Sequence, residues 1–171
     1  MLAIRKLNNN AVICRDSLNR EVVALGKGIG YGGDFPRELD ISTVERTFYS
    51  VDAEGQRIMR DLPADVLIFT AKVMDIVSNE LPYEVSPNAV LIMADHLAFA
   101  IARQKKGIRF DMTLAYDVRQ LYPLEYKIGR YIVARLRQEM GVELPHEEIA
   151  SIAMNLFNAK TGAEAEASRD L

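Results

Sequence analysis

Leu7-Asn8-Asn9-Asn10-Ala11-Val12-Ile13-Cys14, followed by Glu21-Val22-Val23-Ala24-Leu25-Gly26-Lys27-Gly28-Ile29-Gly30-Tyr31, decides the fold of the first third of the chain. Ala11 to Cys14 and Glu21 to Leu25 are short β-prone runs, and Asp16-Ser17-Leu18-Asn19 between them has the composition of a hairpin turn. Leu2 and Ile4 partly alternate with polar neighbours before these runs, and Val44-Glu45-Arg46-Thr47-Phe48-Tyr49 alternates after them. A four-stranded antiparallel sheet over residues 1–55 follows. Gly26, Gly28, Gly30, Gly32, Gly33 and Pro36 oppose both helix and regular strand, so the segment before the last strand is loop. A sheet this small buries little surface, and pairing of two copies is the natural remedy.

Beyond about residue 55 the apolar spacing becomes helical. With 56–61 as linker, residues 62–160 read as an all-α module of five helices. Asp61-Leu62-Pro63 opens the first, with Val66, Phe69, Val73, Ile76 and Val77 close to one face. Ser86-Pro87 opens the second, Ser86 as cap, and it runs to Lys106 before Gly107. Leu114 to Tyr122 forms a short third, Leu124 to Met140 a longer fourth ending at Gly141, and the last runs from Leu144-Pro145 past Asn158. Residues 161–171, small and charged, read as a tail or as linker toward a further module. The class is α+β, with a sheet domain followed by a helical domain.

Composition narrows the function. Hydrophobic residues at 49% and charged residues at 26% are ordinary for a globular protein with a core. Cys14 is the single cysteine, so no intrachain disulfide forms, and no Cys/His set has zinc-ligand spacing. No stretch approaches the ~18 apolar residues of a membrane span, and no signal peptide follows Met1, which points to the cytoplasm without membrane insertion. His96 and His146 stand far apart with no H-E-x-x-H, no Glu-x-x-His and no Ser/His/Asp arrangement, so neither catalytic residues nor a cofactor are expected. The alternative of a structural or DNA-binding homodimer lacks a helix with the basic face of a major-groove reader; Lys105, Lys106 and Arg109 read as a solvated helix end.

The net charge of −3 hides an asymmetry. Residues 1–32 hold Arg5, Lys6, Arg15, Arg20 and Lys27 against Asp16 and Glu21, so a basic module sits on an acidic chain. Close to that module its own field dominates, because screening acts over about 8–10 Å. Asn8-Asn9-Asn10 and the glycine-rich run supply what looped RNA requires: amides for base edges, lysine and arginine for phosphates, glycines for close approach and an aromatic face for stacking. Read singly, Asn runs are usually turns and Gly runs loops. The glycine spacing fits neither G-x-G-x-x-G nor a P-loop.

Leu7-Asn8-Asn9-Asn10-Ala11-Val12 followed by Gly26-Lys27-Gly28-Ile29-Gly30-Tyr31 resembles the co-antiterminator (CAT) RNA-binding domain of the BglG/SacY/LicT antiterminators. Asp95-His96-Leu97-Ala98-Phe99-Ala100-Ile101-Ala102-Arg103, Leu121-Tyr122-Pro123-Leu124-Glu125-Tyr126 and Leu144-Pro145-His146-Glu147-Glu148-Ile149-Ala150 resemble the PTS regulation domain (PRD) that follows it in that family. The resemblance implies a homodimer that binds an antiterminator hairpin in nascent mRNA of sugar-utilisation genes and prevents the terminator from forming. It implies base contacts from Asn8 and Asn10, phosphate or base contacts from Arg5, Lys6 and Lys27, close approach at Gly26 and Gly28, and stacking by Tyr31, where the family usually has phenylalanine. It further implies phosphorylation of His96 by the phosphocarrier HPr or a PTS sugar permease, with Asp95 and Arg103 as phosphate or switch partners. Two departures stand out: Asn155 occupies the place of a second family histidine, leaving His146 as a surface or capping residue, and the chain ends where a second PRD usually begins.

Overall fold

The computed structural model describes residues 1–86, 88–108 and 115–160. The chain divides into two compact units, Met1–Ile68 and a second from Phe69 onward. In the first, β1 (Leu2–Asn8), β2 (Ala11–Arg15), β3 (Glu21–Leu25), β4 (Arg37–Glu38) and β5 (Arg46–Tyr49) form one antiparallel sheet of order β4-β1-β2-β3-β5.

The turn at Asp16-Ser17-Leu18-Asn19 forms where its composition placed it. The Asp16 carboxylate accepts from the amides of Leu18 and Arg20, and Asn19 takes the left-handed φ of 60° that asparagine tolerates. Period-2 alternation sends Ala3, Val12, Cys14, Val22 and Ala24 to one face, packed with Ile29 and Leu39 and flanked by Met1, Phe35 and Val44. Ile13 and Val23, paired across β2 and β3, are equally buried on the other face.

Two expectations need correction here. The sheet has five strands, not four: β4 is two residues inside the Gly/Pro-rich segment, too short for any alternation to register. It is held by pairing with Leu2 and Ala3, by the N-terminal amine on Glu38 at 2.9 Å and by the Leu39 amide on the Met1 carbonyl. The 56–61 segment is not linker but the body of helix α1 (Ala53–Asp61), capped by the Asp52 carboxylate on the Gly55 amide at 2.8 Å. Its exposed, charged face hides the apolar period, with Gln56 and Met59 its buried side chains. Gln56 bonds Arg5 of β1 at 3.0 Å and Glu21 of β3 at 3.0 Å, so α1 reaches across the sheet and supplies cover within a single chain.

Helix α2 (Ala64–Ser78) begins just after Pro63 and buries Val66, Phe69, Val73 and Val77, whereas Ile76 is 39% exposed. The second unit also contains α3 (Ala89–Lys105), α4 (Ala115–Leu121), α5 (Pro123–Met140) and α6 (Glu147–Asn158). Among the described residues, α2 to α6 are the five helices expected for residues 62–160, and α1 precedes them. Pro87 and Leu114, read as helix-opening positions, and the 161–171 tail lie outside the described residues. Ser86 Oγ accepts from the Asn88 amide at 3.3 Å, just ahead of α3. Pro123 stands in the first turn of α5, where its missing N–H costs nothing, and Gly141 ends that helix in the left-handed conformation at φ 66°. Helix α6 packs against α3, α4 and α5, and Leu97, Ile132, Leu136, Ile152 and Leu156 are fully buried.

Leu97→Ala removes a core side chain with no exposure and is expected to cost about 2–5 kcal/mol in urea unfolding. Ile92→Ala on the same helix, at a position 50% exposed, is expected to change stability by no more than about 0.5 kcal/mol.

Candidate functional site

Two loops of the first unit are tied together. The Gly26 amide donates to the Asn10 carbonyl at 2.9 Å, the Gly30 amide to the Asn9 carbonyl at 3.0 Å, and the Gly28 amide to the Asn10 side-chain oxygen at 2.9 Å. The Asn8 side-chain oxygen accepts from the Asn10 amide at 2.8 Å, shaping the turn, while its Nδ2 donates to the carbonyls of Arg60 at 3.0 Å and Met59 at 3.4 Å. Those carbonyls belong to the last turn of α1, whose final four lack helical partners. Arg37 completes the arrangement from β4, its guanidinium donating to the carbonyls of Ile29, Tyr31 and Gly32. Arg37 escaped the sequence reading because a side chain that braces backbone carbonyls leaves no periodic signal.

The predicted RNA-contact residues separate on this geometry. Lys6 and Lys27 are exposed, and Tyr31 is 69% exposed. Asn10 uses its side-chain oxygen on Gly28. Asn8 is committed to the turn and to α1, and the Arg5 guanidinium goes to Gln56. Gly26 is buried, and a side chain there would strike the Thr43 carbonyl, so its smallness serves packing within the chain. Gly28 has φ 74° and open space where a side chain would project, so its backbone freedom serves the turn.

In the second unit, His96 projects from α3 toward α6. Its Nε2 lies 3.7 Å from Oε2 of Glu148, and Glu148 Oε1 accepts from Arg103 at 2.5 Å. Glu148 is 1% exposed, and the His96 and Arg103 side chains are each 18% exposed. Removing Arg103 would strand a buried carboxylate, a change that typically costs about 3–5 kcal/mol. Arg103 also lies over the Phe99 ring at 4.8 Å. Asp95 is exposed; adjacent helix positions do not share a face, so the neighbour of the imidazole comes from α6 instead. Burial holds the His96 pKa below its ordinary 6.5, with Glu148 opposing and Arg103 reinforcing that shift. Glu148 was missed although a signal existed: it stands four residues before Ile152 and eight before Leu156, on the buried stripe of α6. His146 is an exposed residue at the start of α6, its Nε2 3.1 Å from the Tyr126 hydroxyl, and it makes no side-chain cap bond. Asn155 is half-buried on α6. No metal-binding group of His, Cys, Asp and Glu and no helix long and apolar enough to cross a membrane occur among the described residues.

Comparison with known proteins places these two units. The CAT RNA binding domain family matches residues 1–57 and the PRD domain family residues 71–159, defining an RNA-binding module joined to a regulatory one. The chain belongs to the BglG/SacY/LicT family of antiterminators. It is 23% identical over 168 residues to the transcription antiterminator LicT of Bacillus subtilis (strain 168), covering 96% of this chain and 61% of that protein. It is 27% identical over 158 residues to the beta-glucoside operon antiterminator of Dickeya chrysanthemi, covering 90% and 56%. The crystal structure of GlcT CAT-PRDI is similar with a TM-score of 0.73 at 27% identity, covering 94% of this chain and 99% of that one. The chain therefore spans a little over half the length of these two curated relatives.

The lowered pKa of His96 has a direct consequence for stability. The unfolded chain binds this proton more readily, so the contribution of a neutral His96 is complete above pH 6.5 and is lost as pH falls through the lower folded value. An NMR titration of the imidazole is expected to show a midpoint below 6.5; a midpoint above it would contradict the burial argument.

Proposed function

We propose that the protein binds an antiterminator hairpin in nascent mRNA through the interlocked Asn8–Asn10 turn and Gly26–Gly30 loop, and that its helical module adjusts this activity through phosphorylation of His96. The observation that carries the first half is the interlock itself. Three hydrogen bonds from Gly26, Gly28 and Gly30 to Asn9 and Asn10 hold exposed Lys27 and Tyr31 beside the turn. Cations for phosphates and an exposed ring for a splayed base are the groups that looped RNA recognition uses. Asn10 supplies the amide donor. Lys6 adds charge from β1. Arg5 and Asn8 act first by docking α1, and base contact by Asn8 requires release of the Arg60 carbonyl.

The second half rests on the family resemblance together with a neutral, partly exposed His96 beside an arginine. The donor is a phosphohistidine protein of the phosphotransferase system, either HPr or a sugar permease. A phosphoryl group adds about −1.5 to −2 charge near neutral pH, enough to reorganise a buried ion pair. We place the protein in the cytoplasm as a homodimer acting on sugar-utilisation transcripts.

Gel retardation of the full chain with a bulged RNA hairpin, against matched duplex DNA, tests the reading. Selective retention of the RNA is expected, and selective retention of the DNA would overturn it. Tyr31→Ala is expected to weaken RNA binding by about 1–3 kcal/mol, and Lys27→Ala to reduce the slope of log affinity against log salt by about 1. Unchanged slope and affinity in both variants would remove this loop from the interface.

A further inference from the structure

Resting on the reading that His96 accepts a phosphoryl group, we propose that Glu148 is the positioning residue that holds the proton on Nε2 of His96 and thereby directs phosphoryl transfer to Nδ1. A neutral imidazole carries one N–H and one lone pair, and the partner of one nitrogen decides which nitrogen keeps the lone pair. Here the partner is a carboxylate, an acceptor only. Glu148 Oε1 is taken by Arg103 at 2.5 Å, and Oε2 faces the ring at 3.7 Å. Nε2 and Oε2 are both sealed from solvent, and neither has a hydrogen-bond partner among the described residues. A small approach of the two satisfies both at once, in the tautomer with Nε2–H. Nε2 is a ring nitrogen sealed in this way, while the His96 side chain as a whole keeps 18% exposure.

The same geometry opposes attack from Nε2. That nitrogen has no lone pair in the favoured tautomer, no route to solvent, and a carboxylate where three phosphoryl oxygens would have to sit. At Nδ1 the step balances simply. The P–N bond of the phosphohistidine donor breaks and its electron pair returns to the donor imidazole, while the Nδ1 lone pair forms the new P–N bond. Nε2 retains its proton, so the product ring is an imidazolium whose positive charge faces the Glu148 carboxylate. No oxidant, metal or further reactant takes part.

The test is phosphorylation of the full chain by phospho-HPr or a permease phosphodonor domain, followed by assignment of the phosphohistidine isomer by 15N–31P NMR or isomer-specific antibodies. Nδ1-phosphohistidine at His96 supports the proposal, as does an Nε2–H tautomer in 15N spectra of the unmodified protein. Nε2-phosphohistidine at His96 overturns it while leaving the phosphoacceptor reading in place. Labelling that survives in His96→Ala, or no labelling of the wild type, overturns both. Glu148→Gln, close in shape and able to turn its NH2 toward the ring, is expected to lower the Nδ1:Nε2 product ratio about tenfold or more, the effect of one lost charge-assisted hydrogen bond. An unchanged ratio in a folded Glu148→Gln protein counts against Glu148, because merely structural damage lowers yield without altering which nitrogen reacts.

Discussion

Backbone amides of Gly26 and Gly30 reach the carbonyls of Asn10 and Asn9, and that contact requires two chain segments to lie closer than side chains allow. A methyl group on Gly30 would strike the Asn8 carbonyl, and one on Gly26 the Thr43 carbonyl. Everything exposed on this part of the first unit inherits its position from that approach. Lys27 stands between two anchored glycines. Tyr31 follows the second, with its own amide on the Gly28 carbonyl at 3.0 Å. Arg37 then fixes the carbonyl side of the same loop. A surface built this way needs little reordering when a ligand arrives, which favours tight recognition by a small module.

The asparagines show why a motif can be read correctly as important yet incompletely as chemistry. Their run signals a turn, and the turn is there. What the linear sequence does not reveal is that Asn8 also closes the open end of α1, some fifty residues away, by donating to its terminal carbonyls. The strands β1, β2, β3 and β5 were legible from β-branched runs and alternation, and the helix ends at Pro123 and Gly141 from their own backbone preferences. The two-residue β4 and the charged α1 were not, because each is specified by tertiary pairing instead of by a period: β4 by Leu2 and Ala3, α1 by Gln56 and Met59.

Charge placement in the second unit follows the same logic. The neighbour of His96 in sequence, Asp95, is exposed, and its buried neighbour in space, Glu148, comes from a helix some fifty residues later. An acidic residue on the apolar stripe of α6 is the trace that the sequence does carry. A buried carboxylate survives only with a committed partner, and Arg103 is that partner. His96, Glu148 and Arg103 thus form one electrostatic unit, in which added negative charge on the imidazole competes with Glu148 for the same guanidinium.

The central claim is that RNA meets this protein at the interlocked loops. Amide chemical-shift mapping of the 15N-labelled full chain on addition of an antiterminator hairpin tests it most directly. The account predicts the largest changes at Asn9, Asn10, Lys27, Gly28 and Tyr31. Changes concentrated instead at the Asp16–Asn19 turn and β5, with those five amides unmoved, would contradict it.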